Sequence, residues 1–148
     1  MADTRVQLEV EDWTKRHWLP ERYGHRFSKG KLQLSSGGFF NFDAVSEDHK
    51  IVANISTSGA TTGSGKLGVG KLTKIRADIY FLLLVDAQRK LVVFSEHDML
   101  EFWRQEVRIG RVPSSIEFVH AQIPDNLSIR LQSARKVSSG EVTPSVER

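Results

Sequence analysis

Three β-rich segments crowd the stretch from Lys31 to Thr57, and this crowding restricts the possible folds more than any other feature of the chain. The first, "KLQLS" (31–35), alternates apolar and polar residues. The second, "FFNFDAVS" (39–46), is aromatic, and the third, "KIVANIST" (50–57), is rich in β-branched residues. "SGG" separates the first two and "EDHK" the last two. Such short, turn-rich connectors make a meander of antiparallel hairpins the economical arrangement.

The flanks read as helices and further strands. Val6, Val10, Trp13 and Trp18 have helix-like spacing, and Pro20 predicts the end of that helix. Leu72, Ile75, Ile79, Leu82 and Leu83 recur at i, i+3, i+7, i+10 and i+11, which predicts a helix from about Gly70 to Val85. "KLVVFS" (90–95) reads as a short buried strand. Ser95 is the expected cap of the next helix, with Asp98 completing a weak capping box. That helix carries Met99, Leu100, Phe102, Trp103 and Val107 and is expected to stop at Gly110. After Pro113 comes a last strand, "SIEFVHAQI", and Pro124 and Asp125 open a final helix. The expected order is α-β-β-β-α-β-α-β-α: an α/β fold with a mixed sheet flanked by helices. Residues 1–135 read as one domain, and "KVSSGEVTPSVER" (136–148) as a frayed tail.

Composition narrows the function classes. The net charge is +3 over 148 residues, which fits an anionic partner. There is no cysteine, which excludes a disulfide framework and any thiolate metal site. The longest fully apolar run, "IYFLLLV", is far short of a membrane span, and "MADTRVQLEV" lacks the apolar region of a signal peptide. The expected compartment is the cytoplasm. No internal repeat is evident.

The stretch "SGATTGSGKLGVGK" has the outline of a phosphate-binding loop, but its spelling differs twice. Gly59 and Gly65 enclose five residues where the motif has four. Leu67 follows Lys66 where a magnesium-holding hydroxyl belongs. A linker between strand and helix is the simpler expectation. Helix-start amides beside Lys66, Lys71 and Lys74 can still meet a phosphate of a nucleic-acid backbone.

The hairpin of the second and third strands carries the more informative set. A loop of two or four residues pairs Val45 with Val52, Asp43 with Asn54 and Asn41 with Ser56. Strict alternation then gathers Asn41, Asp43, Asn54 and Ser56 on one face, with Phe40, Phe42, Ala44, Ala53 and Ile55 on the other. Asp43 alone is a poor magnesium site, and Glu11 or Glu21 is positioned to add a carboxylate if the first helix packs over the sheet edge. The bland alternative is a solvated polar strand face.

With an Asp on the second strand and a polar pair on the third, residues 6–123 resemble the PD-(D/E)xK nuclease superfamily, the restriction-endonuclease-like fold. In that family the strand-two Asp and an acidic residue on strand three hold a divalent metal, and a lysine two residues later helps activate water. The resemblance implies Asp43 as metal ligand, with Mg²⁺ or Mn²⁺ as cofactor only where the domain is active. Asn54 stands at the acidic position and Ser56 at the lysine position, with Ile55 between them. An amide keeps a ligand oxygen without the charge, and a hydroxyl supplies no cation. Lys66, Lys71 and Lys74 are candidates for a migrated lysine. The implied function is a nuclease-like domain that binds DNA or RNA through Lys66, Lys71, Lys74 and Arg76, with a degraded or displaced catalytic centre. The alternatives are a divergent active metal-dependent endonuclease using Asp43 and a migrated lysine, and a non-enzymatic module whose sheet edge or terminal helix binds a second copy of the chain or another protein.

Other chemistry is less favoured. His17, His25, His49, His97 and His120 form no short-spaced metal pair, and neither H-E-x-x-H nor G-x-S-x-G occurs. His120 reads as a satisfied sheet histidine. Trp13, Trp18, Phe102 and Trp103 read as core residues rather than base-stacking ones. "RHWLPERYGHR" (16–26) reads as a solvated helix end.

Overall fold

The computed structural model describes residues 5–61 and 65–138. Strands β1 (Phe27–Gln33), β2 (Phe39–Ser46) and β3 (Ile51–Ser56) form the expected antiparallel meander. Helix α3 (Val69–Leu84) crosses to β4 (Arg89–Phe94), and α4 (His97–Arg108) crosses to β5 (Ile116–His120). Both added strands run parallel to β3, so the sheet is mixed, in the order β1-β2-β3-β4-β5. Helices α1 (Arg5–Trp13) and α2 (Leu19–Tyr23) precede the sheet, and α5 (Asp125–Ser138) follows it. The element order is the one the sequence predicts. Residues 139–148, most of the expected tail, lie outside the described residues. No described helix is long and apolar enough to cross a membrane.

Helices cover both faces of the sheet. On one face Leu72, Ile75, Ile79 and Leu82 of α3, with Met99, Leu100 and Trp103 of α4, pack on Val52, Val92, Phe94 and Phe118. On the other, Leu19, Trp18 and Tyr23 pack on Ala44, Ala53, Ile55, Leu91 and Val93. Val6 and Val10 of α1 close a third cluster with Leu127 and Leu131 of α5. Every residue of β3 is buried, as a central strand covered on both faces requires.

The β2–β3 turn is closed by side chains. Ser46 Oγ donates to Asp48 Oδ1 (2.7 Å) and accepts the Ile51 amide (3.0 Å), while Asp48 also accepts the Lys50 amide (3.1 Å). This four-residue turn sets Val45 opposite Val52 and Ala44 opposite Ala53, the predicted register. Alternation along β2 is then broken. Ser28 pairs with Val45 but Gly30 pairs with Phe42, two steps on β1 against three on β2. The extra residue forms a β-bulge at Asp43–Ala44. Phe42 therefore lies on the α3 side with Val45, whereas Ala44 lies on the other. A Cβ on Gly30 would sit 2.8 Å from Val45 Cγ2, so glycine is what lets β1 pass this close to the bulge.

Two local expectations need correction. Pro20 does not end the first helix. Thr14–Trp18 widens into a π-helical turn in which the Leu19 amide reaches back to Thr14 O, and Pro20 falls in the first turn of α2. Proline is tolerated there because no helical donor is required of it. Ser95 does not cap α4. The N-cap is Glu96, which makes no capping bond, and Ser95 Oγ donates to its carboxylate at 2.9 Å.

Candidate functional site

Where β3 ends, the chain turns away from the sheet and a cleft of about 520 Å³ opens between α1, the loop after β3 and the start of α3. Glu11 comes from α1, Ser56, Thr57 and Ser58 from the end of β3, and Lys71, Lys74 and Asp78 from successive turns of α3. Residues three or four apart share a helix face, so the α3 set points one way. Lys74 Nζ is 3.2 Å from Asp78 Oδ2. The exposed apolar side chains of Leu67 and Val69 also line the cleft.

Beside the cleft, β2 and β3 exchange side-chain bonds in place of further ladder bonds. Asp43 donates its amide to Asn54 Oδ1 (3.2 Å), and the Ile55 amide donates to Asp43 Oδ2 (2.8 Å). Asp43 is half-buried, and Asn54 is only 2% exposed, with Nδ2 lacking a partner among the described residues. Ser56 is buried as well, whereas Asn41 is exposed opposite Lys31. The four polar residues of the hairpin therefore do not form a single solvated patch.

Two of the carboxylates that line the cleft, Glu11 and Asp78, resist ionisation. Burial pushes the Glu11 carboxyl above its ordinary range, and the charge of Asp43 adds to the rise, while Lys74, Lys29 and Lys15 oppose it. Burial likewise raises Asp78; Lys74 opposes this by charge and hydrogen bond, and Asp43 adds to it. A carboxyl raised in the folded state holds its proton longer than in the unfolded chain. Stability then falls as pH rises from the ordinary carboxylate range to the raised value. Glu11→Gln removes that loss. Its melting temperature is expected to exceed the parent's at neutral pH, the gap closing as pH falls to about 4. A gap in thermal denaturation that does not change with pH would refute this.

The other predicted residues are spread out. Lys66 is exposed on the loop and does not line the cleft. Arg76 lies against α4, its guanidinium 4.9 Å from the Trp103 ring centroid and 3.5 Å from Glu106 Oε1. Of the two candidate glutamates, Glu11 lines the cleft and Glu21 does not. Residues 62–64 of the glycine-rich loop lie outside the described residues. The rest of that loop is held by the protein itself. Asp98 Oδ2 accepts the Ala60 amide at 3.0 Å, and the Gly68 amide donates to Ala60 O at 2.9 Å. His120 is satisfied as expected of a sheet histidine: its Nε2 lies 3.2 Å from Ser95 O, and its ring stacks on His97 at 3.7 Å.

Asp78 was missed from sequence. It falls three residues after Ile75 and four before Leu82, on the apolar stripe of α3, and a carboxylate placed there was the available signal.

The divalent metal implied by the nuclease resemblance does not fit these residues as arranged. Among the described residues, no three His, Asp or Glu side chains group as metal ligands. One Asp43 oxygen is engaged by the Ile55 amide, and the single side-chain oxygen of Asn54 accepts the Asp43 amide. No protein-family model, curated protein or solved structure matches the chain.

Proposed function

We propose that this chain is a cytoplasmic nuclease-like domain that binds DNA or RNA at the cleft beside α3, and that its catalytic centre is degraded. The observation that carries the reading is that Lys71 and Lys74, both exposed, line one cleft with Ser56, Thr57 and Ser58. Ammonium groups meet phosphates, and hydroxyls and amides fix the register of a backbone. The order α-β-β-β-α-β, with Asp43 on the second strand, agrees with the resemblance. The loss of chemistry is supported by Asn54 and Ser56, which are buried and offer neither the carboxylate nor the cation that the family uses.

The test is incubation with plasmid and with short single strands, in Mg²⁺ or Mn²⁺, scoring retention and cleavage separately. Retention without cleavage is the expected result. Cleavage that Asp43→Ala abolishes would overturn the degraded centre and favour a divergent active nuclease. Absence of retention, with a mass by light scattering that rises with concentration, would favour a protein-interaction module instead.

A further inference from the structure

Beyond the cleft, one part of the sheet is left uncovered. Lys29, Lys31 and Gln33 alternate along β1, Phe39 and Asn41 along β2, and all five are exposed. Lys31 lies opposite Asn41, and Gln33 opposite Phe39. The reverse face of the same hairpin is occupied: Leu32 and Phe40 pack into the core, with Phe40 stacked on Phe81 of α3 at 4.2 Å. Phe39 is 58% exposed, and its ring lies 5.5 Å from the Lys31 ammonium.

The charge of Lys29 acts on Glu11, which lines the cleft with Lys74. Phe39 stands four residues along β2 from Asp43, about 14 Å at the rise of an extended strand. None of the five exposed side chains is a carboxylate, so the face complements an anionic chain. It offers a ring for stacking, ammonium groups for phosphates and an amide for base edges.

Resting on the nucleic-acid reading of the cleft, we propose that the β1–β2 face receives the unpaired bases of a single-stranded nucleic acid, with Phe39 as its stacking residue. Bases within a duplex are covered by their neighbours, so an exposed ring gains by stacking only on an unpaired base.

The experiment is fluorescence anisotropy with labelled oligo-dT, oligo-U and a duplex of equal length, at fixed salt. The full chain is compared with Phe39→Ala, Phe39→Trp, Lys31→Glu and the double variant Lys71→Glu, Lys74→Glu. Single strands are expected to bind more tightly than the duplex. Phe39→Ala is expected to weaken single-strand binding roughly 5- to 100-fold and leave duplex binding unchanged, while Phe39→Trp keeps it. Lys31→Glu weakens both.

If Phe39→Ala binds single strands as the parent does while the double cleft variant does not bind, the platform is wrong and the cleft reading stands. If the parent retains no nucleic acid, both are wrong. A concentration-dependent mass by light scattering that Phe39→Ala abolishes would assign the face to a second copy of the chain and overturn the proposal.

Discussion

Reversing both cleft lysines, Lys71→Glu with Lys74→Glu, is expected to reduce nucleic-acid retention by at least about a hundredfold, the largest functional effect of any surface change here. Two attractive charges become two repulsive ones in a cleft where the carboxylates of Glu11 and Asp78 already lie. On a duplex the two cleft contacts add about −1.8 to the salt slope, and on a single strand about −1.4, so through them alone a fourfold rise in salt should weaken the parent by roughly tenfold. The variant should lose the part of the dependence that these two contacts supply. Lys74 also pairs with Asp78, so its reversal places like charges together within α3. Lys71 has no ion-pair partner among the described residues and serves as the cleaner single change. Filter retention or anisotropy over a salt series checks both, with circular dichroism as the folding control. Retention by Lys71→Glu equal to the parent's at every salt concentration would remove the cleft from the interface.

Trp103→Ala is expected to have the largest effect on stability, about 3–5 kcal/mol. Trp103 is fully buried, lies 6.3 Å from the ring of Phe118 at a 23° tilt, and seats the guanidinium of Arg76. Removing it leaves a cavity under α4. It also loosens Arg76 and Arg111 from the buried Glu106, which they flank at 3.5 and 3.1 Å. For a chain of this size the melting temperature should fall by roughly 10–15 °C. Trp103→Phe should cost far less, because Trp103 Nε1 has no partner to lose among the described residues. A fall of only a few degrees in Trp103→Ala, measured by calorimetry, would contradict this packing. The ring is inaccessible, so well below the melting transition nucleic-acid retention should be unchanged.

The fold was legible where a local signal sufficed. Turn residues around Gly37 and Asp48 delimited the meander, the spacing from Leu72 to Leu83 separated helix from strand, and the four-residue turn fixed Val45 against Val52. The site was less legible because its geometry depends on departures from periodicity. Strict alternation placed Asp43 and Asn54 in one solvated row, and a single extra residue on β2 breaks that row. Pro20 looked like a helix stop because sequence does not reveal the π turn that accommodates it. Glu11 could be proposed but not chosen over Glu21, since that depends on how α1 packs against the rest of the molecule.

The change of strand direction at β3 bears on how the molecule assembles. Its first half, from β1 to β3, is joined by turns and pairs residues close together in the chain. Its second half must swing two helices across before β4 and β5 can dock. Short-range pairing closes quickly and distant pairing slowly, so the meander is the natural nucleus and the parallel half the late event. The lysines belong to the first of those swinging helices. A chain arrested midway would hold Asp43 and Asn54 in place while the wall of the cleft that carries Lys71 and Lys74 was still missing.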